Sequence, residues 1–193
     1  MRAYFLGLVL LAVLAAGAPA KDKEPERSKP EPAKPAVAAL AAGQKAPAFS
    51  LQAFPAGKVR LKDFQGKWLA LCFYPKANAP KDVMQMASLR EVWPELVKLE
   101  VAVLGVSMDP SAVVEKFRAE QALPFSLACD ETKSVSAAYG ALGLGGLFST
   151  RRAVLINPQG VVADIIDKCP EKQYGHRILE TVKALQAASK PAP

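Results

Sequence analysis

Residues 68–106 read WLALCFYPKANAPKDVMQMASLREVWPELVKLEVAVLGV. The first seven and the last six of these residues are continuous apolar runs, which is typical of strands that are covered on both faces. Between them, residues 82–99 carry apolar side chains at three- and four-residue spacing, and this predicts an amphipathic helix. A strand, a helix and a strand in this order predict a parallel βαβ unit.

Local patterns extend this unit toward the C-terminus. The dipeptide Asp109-Pro110 is a helix-start signal, Gly140 is placed to end a short helix, and Asn157-Pro-Gln-Gly160 predicts a hairpin turn. The predicted elements are helix 112–121, strand 125–128, helix 132–139, strands 153–156 and 161–166, and helix 174–188. The resulting order β-α-β-α-β-α-β-β-α predicts an α/β protein with a thioredoxin-like fold, in which helices flank a central mixed sheet.

The N-terminus has the pattern of a segment for export. Arg2 precedes an apolar run at residues 3–17, and the small residues Ala18-Pro19-Ala20 follow, so residues 1–20 are predicted to be a signal peptide cleaved after Ala20. An uncleaved membrane anchor is the alternative, but the apolar run is short for a membrane span. We therefore expect a secreted or periplasmic protein with no membrane span after signal cleavage.

A charged, proline-rich stretch follows the predicted signal peptide. Residues 21–42 begin with alternating Lys or Arg and Asp or Glu, interrupted by four prolines, which predicts a disordered linker. Residues 43–189 remain, and a segment of this size is typical of one domain with its own core.

The charge distribution argues against a nucleic-acid partner. The chain has 25 Lys and Arg against 18 Asp and Glu, giving a formal charge of +7. These basic residues are scattered and lack interleaved aromatic residues, unlike a nucleic-acid-binding surface. The sequence also contains no phosphate-binding loop, catalytic triad or nucleotide fingerprint, so we expect no bound cofactor.

The three cysteines do not form a dithiol motif. Cys72 alternates within an apolar strand, where a buried, unreactive thiol is expected. Cys129 at a strand end and Cys169 in Asp-Lys-Cys-Pro-Glu are expected to be exposed. In an oxidising compartment these two could pair with each other or with a partner protein.

Soft metal ligands are present but are poorly arranged for chelation. Met84 and Met86 are two residues apart and would point to different faces of a helix. We expect Met86 to pack in the core and Met84 to take a surface or rim position. His176, the sole histidine, is expected to have a capping or surface role, and we expect no metal site.

Several stretches together resemble a known family. Their order and spacing are similar to those of the Q-type peroxiredoxins, the bacterioferritin-comigratory-protein branch of the thiol-specific antioxidant family, and the resemblance supports the thioredoxin-like fold. The stretches are GQKAPAF at 43–49, LKDFQGK at 61–67, FYPKAN at 73–78 and VSMD at 106–109, continuing through residues 123–125, 139–140, 155–160 and 175–176.

The resemblance implies an active-site position that this chain fills with another residue. Family members reduce peroxides with a thiolate in the motif Pro-x-x-x-Thr-x-x-Cys, supported by an arginine. The corresponding residues here are Pro75, Ala79, Asp82 and Arg151, and Ala87 stands where many Q-type members have a resolving cysteine. A carboxylate cannot form the sulfenic acid of the thiol cycle, so the resemblance implies that no intact catalytic site remains.

These considerations predict an exported peroxiredoxin-like protein without peroxidase activity. Such a chain would act as a binding or scaffold module for an unknown protein partner in the cell envelope. The alternative is a thiol-dependent oxidoreductase that uses Cys129 or Cys169. The resemblance also implies that Asp82 and Arg151 share one site, so we expect them to face each other. We expect Asp82 to act as a capping carboxylate at the start of its helix, because the helix dipole and the guanidinium both favour a negative charge there.

Overall fold

The computed structural model describes residues 40–189. The predicted signal peptide and most of the predicted linker lie outside the described residues. The strands are β1 Ser50–Phe54, β2 Gly57–Arg60, β3 Trp68–Phe73, β4 Val101–Ser107, β5 Ser126–Cys129, β6 Arg152–Ile156 and β7 Val162–Asp167. The helices are α1 Pro80–Lys98, α2 Ser111–Glu120, α3 Ser134–Ala138 and α4 Tyr174–Ser189, with short 3-10 turns at Leu61–Phe64, Leu144–Gly146 and Glu171–Gln173.

The seven strands form one mixed sheet. Their order across the sheet is β2-β1-β5-β4-β3-β6-β7. Strands β3, β4 and β5 are parallel, whereas β6 pairs antiparallel with β3, and β7 antiparallel with β6. The predicted βαβ unit, the C-terminal hairpin and the thioredoxin-like class are therefore confirmed.

The N-terminal hairpin of β1 and β2 was not predicted. Its residues contain few β-branched side chains, and the apolar alternation of Leu51, Ala53 and Val59 is short. The hairpin is held by pairing with β5, where Gln52 lies opposite Cys129. This contact between distant parts of the chain leaves no local pattern in the sequence.

Both faces of the sheet are covered. Along β3, Ala70 and Cys72 face the cluster formed with α1, α2 and α4, while Leu69, Leu71 and Phe73 face a second cluster that includes residues of β1 and α3. This two-sided burial explains why β3 and β4 are continuous apolar runs. Within residues 40–189, no helix combines the length and the apolar character that a membrane span requires.

Candidate functional site

The candidate site lies where β3 ends and α1 begins. Helix α1 starts with Pro80 as its first residue, a position that tolerates proline because its missing N–H would have no helical partner. Ala79 is the N-cap and has no side-chain oxygen to bind the free N–H groups of the first turn. Asp82 is the third helical residue and is almost fully buried, with 2% of its surface exposed.

The Asp82 carboxylate is bonded on both oxygens. Its Oδ1 accepts a hydrogen bond from Nη2 of Arg151 at 2.8 Å, and its Oδ2 accepts one from the backbone N–H of Lys76 at 3.2 Å. The predicted contact between Asp82 and Arg151 is thus confirmed. The capping prediction needs correction, because the Asp82 carboxylate bonds the backbone N–H of Lys76 in the loop before α1 and not an N–H of the helix itself.

Arg151 uses all three of its guanidinium nitrogens in contacts with this site. Besides the bond to Asp82, Nε donates to Oε1 of Gln85 at 2.7 Å and Nη1 donates to Oε1 of Glu171 at 3.0 Å. Gln85 is fully buried, and its Nε2 donates to the carbonyl oxygen of Phe73 at the end of β3. The network therefore ties α1, β3 and the turn before α4 to one arginine.

The pKa values of Asp82 and Glu171 shift in opposite directions. Burial raises the pKa of Asp82 above its ordinary value, although the bonds from Arg151 and Lys76 oppose this shift. The pKa of Glu171 is lowered, first by its own backbone N–H and then by Arg151 and by Lys81, whose Nζ lies 3.9 Å from the Glu171 carboxylate. Arg151 thus opposes protonation of both carboxyl groups, but burial outweighs its effect on the pKa of Asp82.

A cavity of about 450 Å³ opens above Asp82. Part of its wall is apolar, and Leu147 at its rim is 78% exposed. Asp109 also lines the cavity, and its Oδ2 accepts a hydrogen bond from the backbone N–H of Ala77, with 2.7 Å between the nitrogen and the oxygen. The lining residues are Pro75, Lys76, Ala79, Asp82, Met108, Asp109, Leu147 and Phe148.

The structure therefore brings together the four residues that the sequence singled out. Pro75, Ala79 and Asp82 line the cavity, and Arg151 contacts Asp82. Gln85 and Glu171 were not predicted from the sequence to belong to this site. Gln85 follows Asp82 by three residues, the spacing that places side chains on one helix face, so a signal for it existed. Glu171 gave no such signal because it approaches from a distant turn.

The three cysteines lie within β3, at the end of β5 and after β7. Cys72 is fully buried, as expected, and burial raises its pKa to about 12. The expectation that Cys129 is exposed was wrong, because pairing of β5 with β1 leaves it 6% exposed with its Sγ against the carbonyl oxygen of Gln52. Cys169 is half-buried.

A disulfide between Cys129 and Cys169 does not fit the sheet. Cys129 ends β5, Cys169 follows β7, and three strands lie between β5 and β7. Strand spacing makes this separation about 19 Å, whereas a disulfide needs Cα atoms within about 7 Å. Burial raises the pKa of both thiols, so neither environment favours a thiolate.

The residues considered as metal ligands are dispersed. Met86 is buried in the core and Met84 is half-buried, as expected. His176 is half-exposed in the first turn of α4, 3.8 Å from Glu91. In the part of the chain that the structure describes, no three His, Cys, Asp or Glu residues cluster in a way that could hold a metal ion.

The fold and the site together define a thioredoxin-fold protein with a buried polar residue at the start of the helix after its central strand. The model of the AhpC/TSA family matches residues 42–165. Peroxiredoxin Bcp of Escherichia coli is 33% identical over 150 residues, which cover 75% of this chain and 96% of that protein. The chain belongs to the AhpC/TSA family, the peroxiredoxins, and is similar to its Bcp and Q-type members.

Solved structures agree with this assignment. A cysteine-to-serine variant of peroxiredoxin Q from Xanthomonas campestris superposes with a TM-score of 0.69 at 25% identity, covering 74% of this chain and 97% of that one. A PrxQ variant from Xylella fastidiosa gives a TM-score of 0.71 at 22% identity, covering 76% and 98%. The latter similarity supports the fold alone.

Proposed function

We propose that this chain is an exported peroxiredoxin-family protein that no longer reduces peroxides and serves as a binding or scaffold module for a protein partner in the cell envelope. The observation that carries the proposal is the direct contact of the Asp82 carboxylate with Arg151. The sequence resemblance assigns Asp82 to the position of the family's catalytic cysteine. Export rests on the sequence pattern of residues 1–20.

The chemistry of peroxide reduction explains why Asp82 matters. A cysteine thiolate attacks one peroxide oxygen, the O–O bond breaks, and the sulfur becomes a sulfenic acid that a second thiol reduces. The Bcp protein of Xanthomonas campestris is described as having alkyl peroxide reduction activity. The Asp82 carboxylate has no sulfur to oxidise, so the first step of this cycle has no equivalent here.

The surroundings of Asp82 also suit a structural role better than a catalytic one. Ala79 supplies no hydroxyl to hold a peroxide oxygen. Each guanidinium nitrogen of Arg151 is already engaged, with Asp82, Gln85 and Glu171. These bonds use three of the five N–H groups of the guanidinium, and the two that remain lie beside the Asp82 and Glu171 carboxylates, which disfavours transition-state stabilisation by this group.

The alternative function requires another thiol to act as the nucleophile. Burial raises the pKa of both Cys129 and Cys169, so the thiolate that attack requires is poorly populated near neutral pH. Cys129 is, moreover, covered by β1. A thiol-dependent oxidoreductase is therefore the less favoured candidate.

The cavity above Asp82 is the surface that we assign to partner binding. Leu147 is 78% exposed and Phe148 is 38% exposed, and both line the cavity together with Met108. Neighbouring exposed apolar side chains of this kind are typical of protein-binding surfaces. The charged side chains of Lys76 and Asp109 at the same rim could give the contact its orientation.

Two measurements test the proposal. With dithiothreitol or thioredoxin, the purified protein should consume hydrogen peroxide no faster than a triple Cys→Ser variant whose folding is verified by circular dichroism. For binding, Leu147→Asp should abolish capture of the envelope partner, whereas the matched change Val97→Asp, at a half-exposed apolar residue of α1, should retain it. A thiol-dependent rate above the control, or equal capture by both Asp variants, would contradict the proposal.

A further inference from the structure

A second cavity lies at the opposite end of β3 from Asp82. It has a volume of about 300 Å³, at the lower end of the range for small-molecule sites. Its walls come from the chain before β1, the 3-10 turn Leu61–Phe64 and the turn between β6 and β7. The lining residues include Ala46, Ala48, Leu61, Phe64, Leu69 and Ile156 on the apolar side.

The floor of this cavity is part of the hydrophobic core. Leu69 and Ile156 are buried members of the core cluster on that face of the sheet. Ala46, Leu61 and Phe64 pack against the same cluster but are only partly buried. Their remaining exposed surface borders the cavity, so an apolar ligand group placed there would extend the core and remove further apolar surface from water.

The cavity is held open by backbone bonds between its walls. The N–H of Ala46 donates to the carbonyl oxygen of Gly160 at 2.9 Å, and the N–H of Gly66 donates to that of Pro158 at 3.1 Å. Lys45 also forms a β-bridge with Val161. Because these bonds fix the walls before a ligand arrives, binding would require little ordering of the backbone.

The rim of the cavity is positively charged. Lys45, Lys62 and Lys67 line it. Within residues 40–189, none of the three ammonium groups forms a salt bridge, whereas Lys81, Lys116 and Lys183 each pair with a glutamate. The lining contains no acidic residue, and Gln65 and Gln159 add amide groups. An anionic head group would therefore find several cationic and hydrogen-bonding donors without an opposing charge.

We propose that this cavity binds a small amphiphilic anion, with its apolar tail on Leu61, Phe64 and Ile156 and its carboxylate or phosphate among the three lysines. The charge of the rim selects the anionic head, and the depth of the apolar floor selects a short aliphatic or aromatic tail. The site is separate from Asp82, because the six residue-to-residue steps from Leu69 to Pro75 span about 20 Å in an extended chain. The inference thus does not depend on the loss of peroxidase activity.

Calorimetric titration of the purified protein with sodium octanoate tests this proposal. Octanol and acetate serve as ligand controls, the first with the tail but no charge and the second with the charge but no tail. Octyl phosphate shows whether the head group is a carboxylate or a phosphate. We expect saturable binding of octanoate, of octyl phosphate or of both, with at least tenfold weaker binding of octanol and acetate.

Two sets of variants locate the ligand. Ala48→Trp should fill the mouth of the cavity and abolish binding. The triple change Lys45→Gln, Lys62→Gln and Lys67→Gln should weaken binding about tenfold, since exposed ion pairs contribute modestly and one head group contacts only part of the rim.

A matched triple change at exposed lysines outside the cavity, Lys58→Gln, Lys98→Gln and Lys168→Gln, removes the same total charge. This control should bind like the unmodified protein. The proposal would be overturned if neither anionic amphiphile bound below its micelle concentration. It would also be overturned if the two triple variants lost affinity equally, or if Ala48→Trp left binding unchanged.

Discussion

Replacing Arg151 by methionine should destabilise this protein strongly, because Asp82 would lose its charged partner while remaining buried. The side chains of Asp82 and Arg151 are only 3% and 17% exposed. Methionine keeps the volume of the arginine stem and removes the three donors. Gln85, which is fully buried, would also lose the donor to its Oε1.

Two energies set how much stability Arg151→Met should lose: the cost of breaking a buried ion pair and the cost of protonating Asp82. Removing one partner of a buried ion pair costs about 3–5 kcal/mol, against about 0–1 kcal/mol for an exposed pair. The variant cannot lose much more stability than the cost of protonating Asp82, because the carboxyl can become neutral instead of staying buried as an unpaired charge. For a carboxyl with an ordinary pKa of 3.8, this cost is about 4 kcal/mol at pH 7. We therefore expect the free energy of unfolding at pH 7 to fall by about 3–4 kcal/mol.

The stability lost on removing Arg151 should depend on pH. A carboxyl whose pKa is raised in the folded state binds protons more tightly when folded, so it stabilises the protein more as the pH falls toward the unfolded pKa. Loss of Arg151 removes an influence that lowers the pKa of Asp82, and the raised pKa should rise further. At pH 5, protonating the Asp82 carboxylate costs only about 2 kcal/mol. The free energy of unfolding that Arg151→Met loses should therefore fall to about that value.

Urea unfolding followed by circular dichroism at pH 7 and pH 5 measures both quantities. Asp167→Asn is the matched control, since Asp167 pairs with Arg152 but is 44% exposed, and its loss should cost no more than about 1 kcal/mol. The double variant Arg151→Met with Asp82→Asn should recover part of the stability. If Arg151→Met lost less than about 1 kcal/mol at pH 7, the buried-pair account would be refuted.

Three further predictions concern the chain ends and the thiols. Mass spectrometry of exported protein should find residues 1–20 absent, and an intact Met1 would exclude cleavage. With a thiol reagent, Cys169 should react first in the folded protein, because Cys129 is covered by β1; faster reaction of Cys129 would contradict this burial. Asp82→Cys should fold, because one small polar side chain replaces another at the helix start, and loss of the folded circular dichroism spectrum would contradict this.

Much of the fold could be predicted from the sequence because its elements carry strong local patterns. The apolar runs of β3 and β4 reflect burial along almost the whole length of each strand, and the three- and four-residue spacing along α1 reflects burial of one face of the helix. The hairpin of β1 and β2 could not be predicted in the same way, since it depends on pairing with β5. The exposure of Cys129 was wrongly predicted for the same reason. A cysteine at a strand end is expected to be exposed, and only the pairing with β1 shows that it is covered.

The candidate site was partly predictable. The family motif located Asp82 and Arg151, and the charge of the two groups suggested their contact, which the structure shows at 2.8 Å. The sharing of Arg151 with Glu171 was not predictable, because Glu171 lies in a turn whose position depends on the packing of α4 against α1. The exposed side chain of Leu147 was also missed, since the glycine-rich sequence around it indicates only a loop.

The central claim is that Asp82 stands where a peroxidatic sulfur would be needed. The most direct test compares initial rates of hydrogen peroxide consumption by the unmodified protein and by Asp82→Cys combined with Ala79→Thr, which restores both the thiol and the hydroxyl of the family motif. The account predicts no thiol-dependent rate for the unmodified protein and a clear rate for the double variant, above that of Asp82→Cys alone. Equal thiol-dependent rates for the unmodified protein and the double variant would contradict it.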